Sequence, residues 1–298
     1  MIHAAGIDLG GTKIEASVFD AGWAVLETRR VPTPGNYAAL IDALADQVNW
    51  LQQHSAKTSV GVGAPGRHDS KTGLAFMANV AADGHPMRAD LKAATKTNIS
   101  FGNDCDLFAL SEAKLGAGQG FDTVFGLILG TGIGGGICLN GALHQTPNNT
   151  AGEVGHLPIS ASLVQEFDLP ILQCGCGRHG CYETLGAGPG LSRLAEMLSG
   201  QTIQAQEIAA RNGKEMHIWT RIIAELIGAL QLTIDPDCIV LGGGLSNIPD
   251  VDQILTKAIE NAGLRGAYPP KISKAAFGDS SGTRGAALLA FKERMAQT

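Results

Sequence analysis

The chain has no run of basic residues, and Asp and Glu outnumber Lys and Arg by 28 to 22. A formal net charge of -6 leaves no electrostatic footprint for a phosphate backbone, so no nucleic-acid partner is expected. Long apolar runs are missing as well. None reaches the ~20 residues that a membrane-spanning helix needs. Asp8 interrupts the N-terminal apolar run before it forms a signal segment. The expected address is cytoplasmic, with no membrane partner. Charged residues make up 17% and apolar residues 44%, a balance that excludes a disordered chain. No low-complexity segment or long linker occurs. The G-x-x-x-x-G-K-[ST] phosphate loop is absent. Residues 130–135 fit G-x-G-x-x-G but head into a strand pattern rather than a helix, which excludes a dinucleotide fingerprint.

What remains is a glycine-rich α/β pattern. The 40 glycines are clustered, which marks close backbone approaches rather than flexible linkers. At 298 residues the chain has room for two domains, each with its own core. Ala4 to Asp20 reads as strand, glycine turn, strand, and a third strand is expected at Ala24 to Val31. Tyr37 to His54 places Leu40, Ile41, Leu44, Val48 and Leu51 at helical spacing. Short strands are expected at Ser59 to Ala64 and Ile99 to Gly102, then a helix from Leu107 to Leu115. At Phe121 the pattern restarts. Val124 to Leu129 runs into Gly130-Thr131-Gly132, and Gly135 to Asn140 returns. Two strand–turn–strand units with Gly/Thr turns, one opening each half, imply either a duplicated fold or two unrelated hairpins. Ile218 to Ile234 reads as a long helix, Cys238 to Leu241 as a buried strand, and Thr283 to Met295 as a final helix.

Three glycine-rich turns follow apolar strands: Gly10 to Lys13, Gly130 to Gly136, and Gly242 to Gly244. Glycine lets backbone N–H groups approach phosphate oxygens, and Thr hydroxyls add donors, so three such turns favour a nucleotide site over plain hairpins. Asp8, beside the first turn, has the chemistry to hold water around a Mg2+ ion, or to cap the turn. Asn103-Asp104 follows a strand and precedes a helix. Asp104 is placed to accept the proton of a hydroxyl that attacks a phosphoryl group, with Asn103 gripping a neighbouring hydroxyl. The alternative is a helix N-cap.

Cysteine is scarce, yet three of the six lie within eight positions, at C-x-C-x4-C spacing. In a reducing compartment clustered cysteines favour metal over disulfides. Cys174, Cys176 and Cys181 with His156 make up a Cys3His zinc set. His179 is a rival fourth ligand, disfavoured because it sits inside the cysteine loop. Buried thiols are the bland alternative. Cys105, Cys138 and Cys238 are scattered and expected as small buried hydrophobes.

Together these motifs resemble the ROK family (repressors, open reading frames and kinases) over nearly the whole chain. Gly6-Ile7-Asp8-Leu9-Gly10-Gly11-Thr12-Lys13 resembles the first phosphate motif of that family. Gly130 to Gly136, with Thr131, Gly132, Ile133, Gly134, Gly135 and Gly136, resembles the second. Val240 to Ser246, with Gly242, Gly243 and Gly244, resembles the adenosine motif. Gly152-Glu-Val-Gly-His156 with Cys174 to Glu183 resembles the signature, whose C-x-C-G-x-x-G-C-x-E segment is highly specific.

The resemblance implies an actin-like, hexokinase-type (ribonuclease H-like) duplicated α/β fold, two domains around a cleft. It implies a smaller domain over 1–117, joined by a C-terminal helix at 283–298, and a larger one over 118–282 carrying the zinc loop. It implies transfer of the ATP γ-phosphoryl group to a sugar 6-hydroxyl, with Mg2+ and a structural Zn2+ as cofactors, and a homodimer. Asp104 matches the catalytic base. Asn103, Glu153, His156 and Glu183 match sugar ligands, with Gly66 and Asn79 further candidates for the sugar pocket. Zn2+ would be held by His156, Cys174, Cys176 and Cys181. Val31 to Pro34, Ala78 to Val80, Pro86 to Leu91, Phe108 to Ala113, Gly126 to Gly136 and Leu241 to Asn247 resemble the members that act on N-acetyl-D-glucosamine. The Thr150 to Glu153 entry and the Asp279 to Gly282 tail are shared with fructokinase-like and mannokinase-like members, so glucose, fructose and mannose are the alternative sugars. A sugar-responsive repressor of the same family is the alternative class. It would need a helix-turn-helix before the first phosphate strand, and here that strand begins within eight residues.

Overall fold

A computed structural model describes residues 3–54, 59–211, 213–260 and 266–296. The chain divides into two compact units: Met1–Ser111 with Leu143–Thr150 and Asp279–Thr298, and Glu112–Ala142 with Ala151–Gly278. The division falls inside a helix rather than at 117, and 143–150 belongs with the first unit instead of the second.

In the first unit, β1 (Ala4–Leu9), β2 (Lys13–Phe19) and β3 (Val25–Pro32) form an antiparallel meander. The amphipathic α1 (Tyr37–His54) follows, with the bounds its periodicity predicts. Next come β4 (Val60–Ala64), the small ribbon of β5 (Arg67–His68) and β6 (Ala75–Phe76), α2 (Met87–Thr95) and β7 (Ile99–Asn103). Parallel pairing of β1 with β4, and of β4 with β7, completes the order β3-β2-β1-β4-β7. Leu40, Leu44, Val48 and Leu51 of α1 join Ile7, Leu9, Ile14, Val60 and Val62 in one core. Each such side chain removed from water contributes roughly 1.5–3 kcal/mol before entropy is counted. α3 (Asp104–Leu115) starts three residues earlier than the apolar pattern indicates, because Asn103 caps it.

The second unit repeats the plan. β8 (Thr123–Leu129), β9 (Ile133–Leu139) and β10 (Ala142–Leu143) lead in. α4 (Ala161–Phe167), the single turn α5 (Glu183–Gly186), α6 (Gly188–Ser199), α7 (Ala205–Arg211) and α8 (Lys214–Thr233) follow. Then come β11 (Cys238–Gly242), α9 (Val251–Glu260) and β12 (Lys271–Lys274). The sheet order is β10-β9-β8-β11-β12, with β8, β11 and β12 parallel. Counting only the strands within each sheet, and so leaving out the β5–β6 ribbon, both read third, second, first, fourth, fifth, which decides for duplication over coincidental hairpins. α8 anchors the second core with Trp219, Ile222, Ile223, Leu226, Ile227 and Leu230, the i, i+3, i+4, i+7 stripe of a buried helix face.

α10 (Ser281–Met295) returns to the first unit and packs on β1 and β4 through glycines. A Cβ on Gly6 would stand 2.0 Å from the Thr283 carbonyl oxygen, and one on Gly61 would stand 1.9 Å from that of Ala286. Only glycine permits that approach. The helix ends at Met295, as its pattern indicates, and starts two residues earlier than expected; positions 297 and 298 lie outside the described residues. In the second unit the buried Glu112 accepts backbone N–H bonds from Ala117 (3.1 Å), Ala276 (2.9 Å) and Phe277 (3.3 Å). One carboxylate thus ties the start of that unit to its end.

Candidate active site

In the first unit the β1–β2 turn is closed by the Gly10 N–H donating to the Lys13 carbonyl at 2.9 Å. The Thr33 hydroxyl braces it, donating to the Gly10 carbonyl at 2.7 Å. Gly11 and Thr12 are exposed at the tip, where their backbone groups are open to an anion. Lys13 points its ammonium at the buried Glu15, 3.3 Å away, which Arg30 also contacts at 2.5 Å. Gly6, Ile7 and Leu9 are buried in β1, and packing against α10 accounts for the glycine at 6. These three reach the turn only through the strand that carries it. Asp8 sits at the end of β1 among glycines: a Cβ on Gly282 would lie 2.8 Å from its Cγ, and one on Gly63 would lie 3.7 Å from its Oδ1. The space around this carboxylate exists because neither glycine has a side chain. One carboxylate with room for water fits the ligand preference of Mg2+.

β7 delivers Asn103 and Asp104. Asn103 performs the capping: its Oδ1 accepts the N–H groups of Cys105 (2.8 Å) and Asp106 (3.2 Å), and its Nδ2 donates to the Gly66 carbonyl at 2.8 Å. The cap reading therefore holds for Asn103, which leaves the Asp104 side chain outside the main capping bonds. Asp104, relieved of the cap, accepts the Cys105 N–H at 2.9 Å. Burial pushes its pKa above the usual carboxylate value, and the Cys105 backbone N–H and thiol pull it partly back. A carboxylate raised toward neutrality is a better proton acceptor than a free one. Gly66 has φ +74° and abuts the Phe76 carbonyl, so a side chain there is excluded twice over. Asn79 adopts a left-handed conformation (φ 61°), and its carbonyl oxygen lies 3.1 Å from where a Gly11 Cβ would be. Asn79 thus borders the β1–β2 turn, while Gly66 and Asn103 form one hydrogen-bonded group.

In the second unit the β8–β9 turn repeats the first, its Gly130 N–H donating to the Gly132 carbonyl at 2.9 Å. Gly135 admits the Phe125 ring, and Gly132 and Ile133 lie against Glu183. Gly152 and Gly155 let the 152–156 loop rest on β9, within contact of the Gly135 and Ile133 carbonyls. A turn of 3-10 helix, Val154–His156, then presents His156.

His156, Cys174, Cys176 and Cys181 converge so that their ligand atoms all lie within 4.8 Å of one another. The Cys176 and Cys181 sulfurs are 3.8 Å apart, and the Cys174 sulfur is 3.6 Å from His156 Nδ1. A disulfide would need about 2.05 Å. A tetrahedral zinc with Zn–S about 2.3 Å sets S···S edges of about 3.8 Å, so the donor set fits that ion in type and spacing. His179 is not in the group; it bridges backbone-to-backbone with Gln173. Positive φ at Gly177 (86°) and Gly180 (70°) turns the cysteine loop back on itself. His156 Nε2 faces away from the sulfurs toward Glu153 Oε2, 3.7 Å off. Glu183 reaches both ways, with Oε2 accepting the Ile133 N–H at 2.9 Å and Oε1 3.8 Å from the Cys174 sulfur.

A cavity of about 630 Å3 opens beside Gly130 and Thr131. Gly244 and Leu245 form one wall, and Gly188, Pro189 and Ser192 of α6 form another. The Gly188 N–H donates to the Gly130 carbonyl at 2.8 Å, and Gly243 (φ +80°) packs on the Leu129 carbonyl. This α6 wall is absent from the sequence reading. Its signal is the Gly186-Ala-Gly-Pro-Gly190 run, a fourth glycine cluster opening a helix with proline in its first turn.

A family model described as "ROK family" matches residues 4–293. The chain belongs to the ROK family. Over 296 residues it is 40% identical to the N-acetylgalactosamine kinase AgaK of Shewanella sp. (strain ANA-3), covering 95% of each protein. It is also 40% identical to the N-acetyl-D-glucosamine kinase of Escherichia coli O139:H28 (strain E24377A / ETEC), covering 95% of this chain and 98% of that one. Among solved structures it is similar to the ROK hexokinase from Thermus thermophilus, with TM-score 0.86, 32% identity and coverage of 99% and 100%. A ROK family glucokinase from Streptomyces griseus, in complex with glucose and AMPPNP, matches with TM-score 0.78, 27% identity and coverage of 98% and 100%. The fold is thus the actin-like, hexokinase-type α/β fold, and the repeated sheet order is its duplication. No helix among the described residues is long and apolar enough to cross a membrane.

Proposed function

We propose that this ROK protein is an ATP-dependent sugar kinase that phosphorylates the 6-hydroxyl of N-acetyl-D-glucosamine, releasing ADP and the 6-phosphate. The observation that carries this reading is identity at 40% over nearly the full length of a curated N-acetyl-D-glucosamine kinase. Asp104 is the general base. As the sugar oxygen bonds to the γ-phosphorus and the β–γ bridging bond breaks, its carboxylate takes the hydroxyl proton, and the electron pair leaves with ADP. Its raised pKa and its release from capping suit it to that role.

Asn103, Gly66, Asn79, Glu153, His156 and Glu183 are assigned to recognition of the sugar. Gly10 to Lys13 and Thr131 to Gly136 supply N–H and hydroxyl donors to the phosphates. Gly242 to Gly244 and the α6 wall serve the adenosine, in the fold family that includes a glucokinase solved with AMPPNP. Asp8 holds the water shell of Mg2+, which neutralises phosphate charge when bound. Zn2+ is held by His156, Cys174, Cys176 and Cys181. Four protein ligands leave no open position, so its part is structural: it fixes the loop that carries Glu183 and aims the free His156 nitrogen. The protein works in the cytoplasm as a homodimer.

The equal identity to an N-acetylgalactosamine kinase favours one second reading, the 4-epimer of the same sugar. ADP release measured across N-acetylglucosamine, N-acetylgalactosamine, N-acetylmannosamine, glucose, fructose and mannose tests both. The highest kcat/KM is expected for N-acetylglucosamine. A higher value for a sugar without the acetamido group would overturn the substrate assignment.

A further inference from the structure

The cavity beside Gly130 is polar along one side. Its glycines and Thr131 offer backbone and hydroxyl donors suited to phosphate and ribose, and Ser192 and Gln204 also line it. Gln204 precedes α7, and its carbonyl accepts the N–H groups of Glu207 and Ile208, each at 3.0 Å. Its backbone is thereby fixed as the start of a helix. Its exposed carboxamide makes no hydrogen bond to any other described residue.

We propose that Gln204 reads the nucleotide base and selects adenine over guanine. The inference rests on the kinase reading above. A carboxamide carries a donor and an acceptor side by side. Along its N7 edge adenine offers the complementary pair, the exocyclic N6 amino donor beside the N7 acceptor, so both bonds form there, and it is along this edge that guanine presents two acceptors, O6 and N7. Guanine puts a carbonyl oxygen where adenine has the amino group. The Gln204 oxygen then faces another acceptor, and turning the amide over satisfies only one of the two. Ser192 cannot discriminate in this way, because a single hydroxyl rotates to donate or accept as required. Pro189 and Leu245 supply apolar surface for the ring itself.

The test is affinity for ADP and for GDP by titration calorimetry, with ATP- and GTP-supported kcat/KM in parallel. Wild type, Gln204→Leu and Gln204→Arg are compared, each checked for an unaltered melting transition. Wild type is expected to prefer adenine. Gln204→Leu should lower that preference about tenfold, the loss of roughly one net hydrogen bond with its selectivity. Gln204→Arg should move it toward guanine, since a guanidinium donates to both guanine acceptors. An adenine-to-guanine ratio that is the same in all three proteins overturns the assignment while leaving the kinase reading intact. A wild type that binds neither nucleotide overturns both.

Discussion

The Glu183 carboxylate accepts the Ile133 backbone N–H at 2.9 Å, which joins the cysteine loop to the β8–β9 turn within one unit. Glu183→Ala leaves that amide unpaired, and a loss of about 1–3 kcal/mol is expected in urea denaturation. The same variant should raise KM for both sugar and ATP. Glu183→Gln keeps an acceptor and should regain most of the stability, but little of the sugar affinity. An ATP KM that does not move in Glu183→Ala would show that the link carries nothing to the turn.

Asp104→Asn should lower kcat about 10²–10⁴-fold, the usual contribution of a general base, while sugar binding by calorimetry persists. The acid limb of the wild-type kcat/KM profile should lie above the ordinary carboxylate range, because burial raises the Asp104 pKa. Stability runs the other way. A carboxyl whose folded pKa is raised adds stability below its unfolded pKa and loses it as pH rises through the folded value. Asp104→Asn should therefore be at least as stable as wild type at pH 7. A variant that is inactive and also less stable would mean a structural role.

Native protein should carry zinc at about one ion per chain by elemental analysis, as a closed Cys3His site requires. Cys176→Ser should lower both zinc content and melting temperature, since metal binding and loop folding are one equilibrium. Full zinc occupancy in Cys176→Ser would remove this cysteine from the ligand set.

Gly6 and Gly10 should separate packing from phosphate contact. Gly6→Ala drives a methyl into the α10 backbone and should cost upwards of about 1–3 kcal/mol in thermal or chemical unfolding. A Cβ on Gly10 meets only the Lys13 carbonyl at 3.3 Å, so Gly10→Ala should change ATP KM more than stability. The reverse pattern would return Gly6 to the nucleotide site.

His68 Nε2 is buried with no hydrogen-bond partner among the described residues, and its ring lies 5.9 Å from Phe101. Burial, then the nearby Arg88 charge, lowers its pKa from 6.5 to about 4. A base depressed in the folded state is charged first in the unfolded one, so stability is full above pH 6.5 and declines as pH falls toward 4. The urea midpoint should drop across that window in wild type and drop less in His68→Gln. Parallel curves would exclude His68 as the source.

Much of this was legible in the chain, and the exceptions have local causes. α1 is legible at its full length because its apolar stripe is unbroken, and the β1–β2 and β8–β9 turns are legible because glycine follows an apolar strand each time. α6 was hidden because Gly188, Pro189 and Gly190 look like a loop, although proline is tolerated in a first turn. β12 was hidden because Lys-Ile-Ser-Lys has one buried apolar residue, the composition of an edge strand kept polar. The division of labour between Asn103 and Asp104 could not be seen, because both residues cap helices equally well and only the three-dimensional bonds choose between them. The packing reason for Gly6 could not be seen, because the backbone of α10 that it meets lies 277 residues away at Thr283.

Glu112 has one more consequence. The second unit begins at Glu112 and ends at Gly278, and the bonds from Ala276 and Phe277 to that first residue keep its two ends stitched together. Residues 143–150 belong to the first unit, so the second is built from two stretches of chain, and Glu112 is the clasp that closes its outer ends.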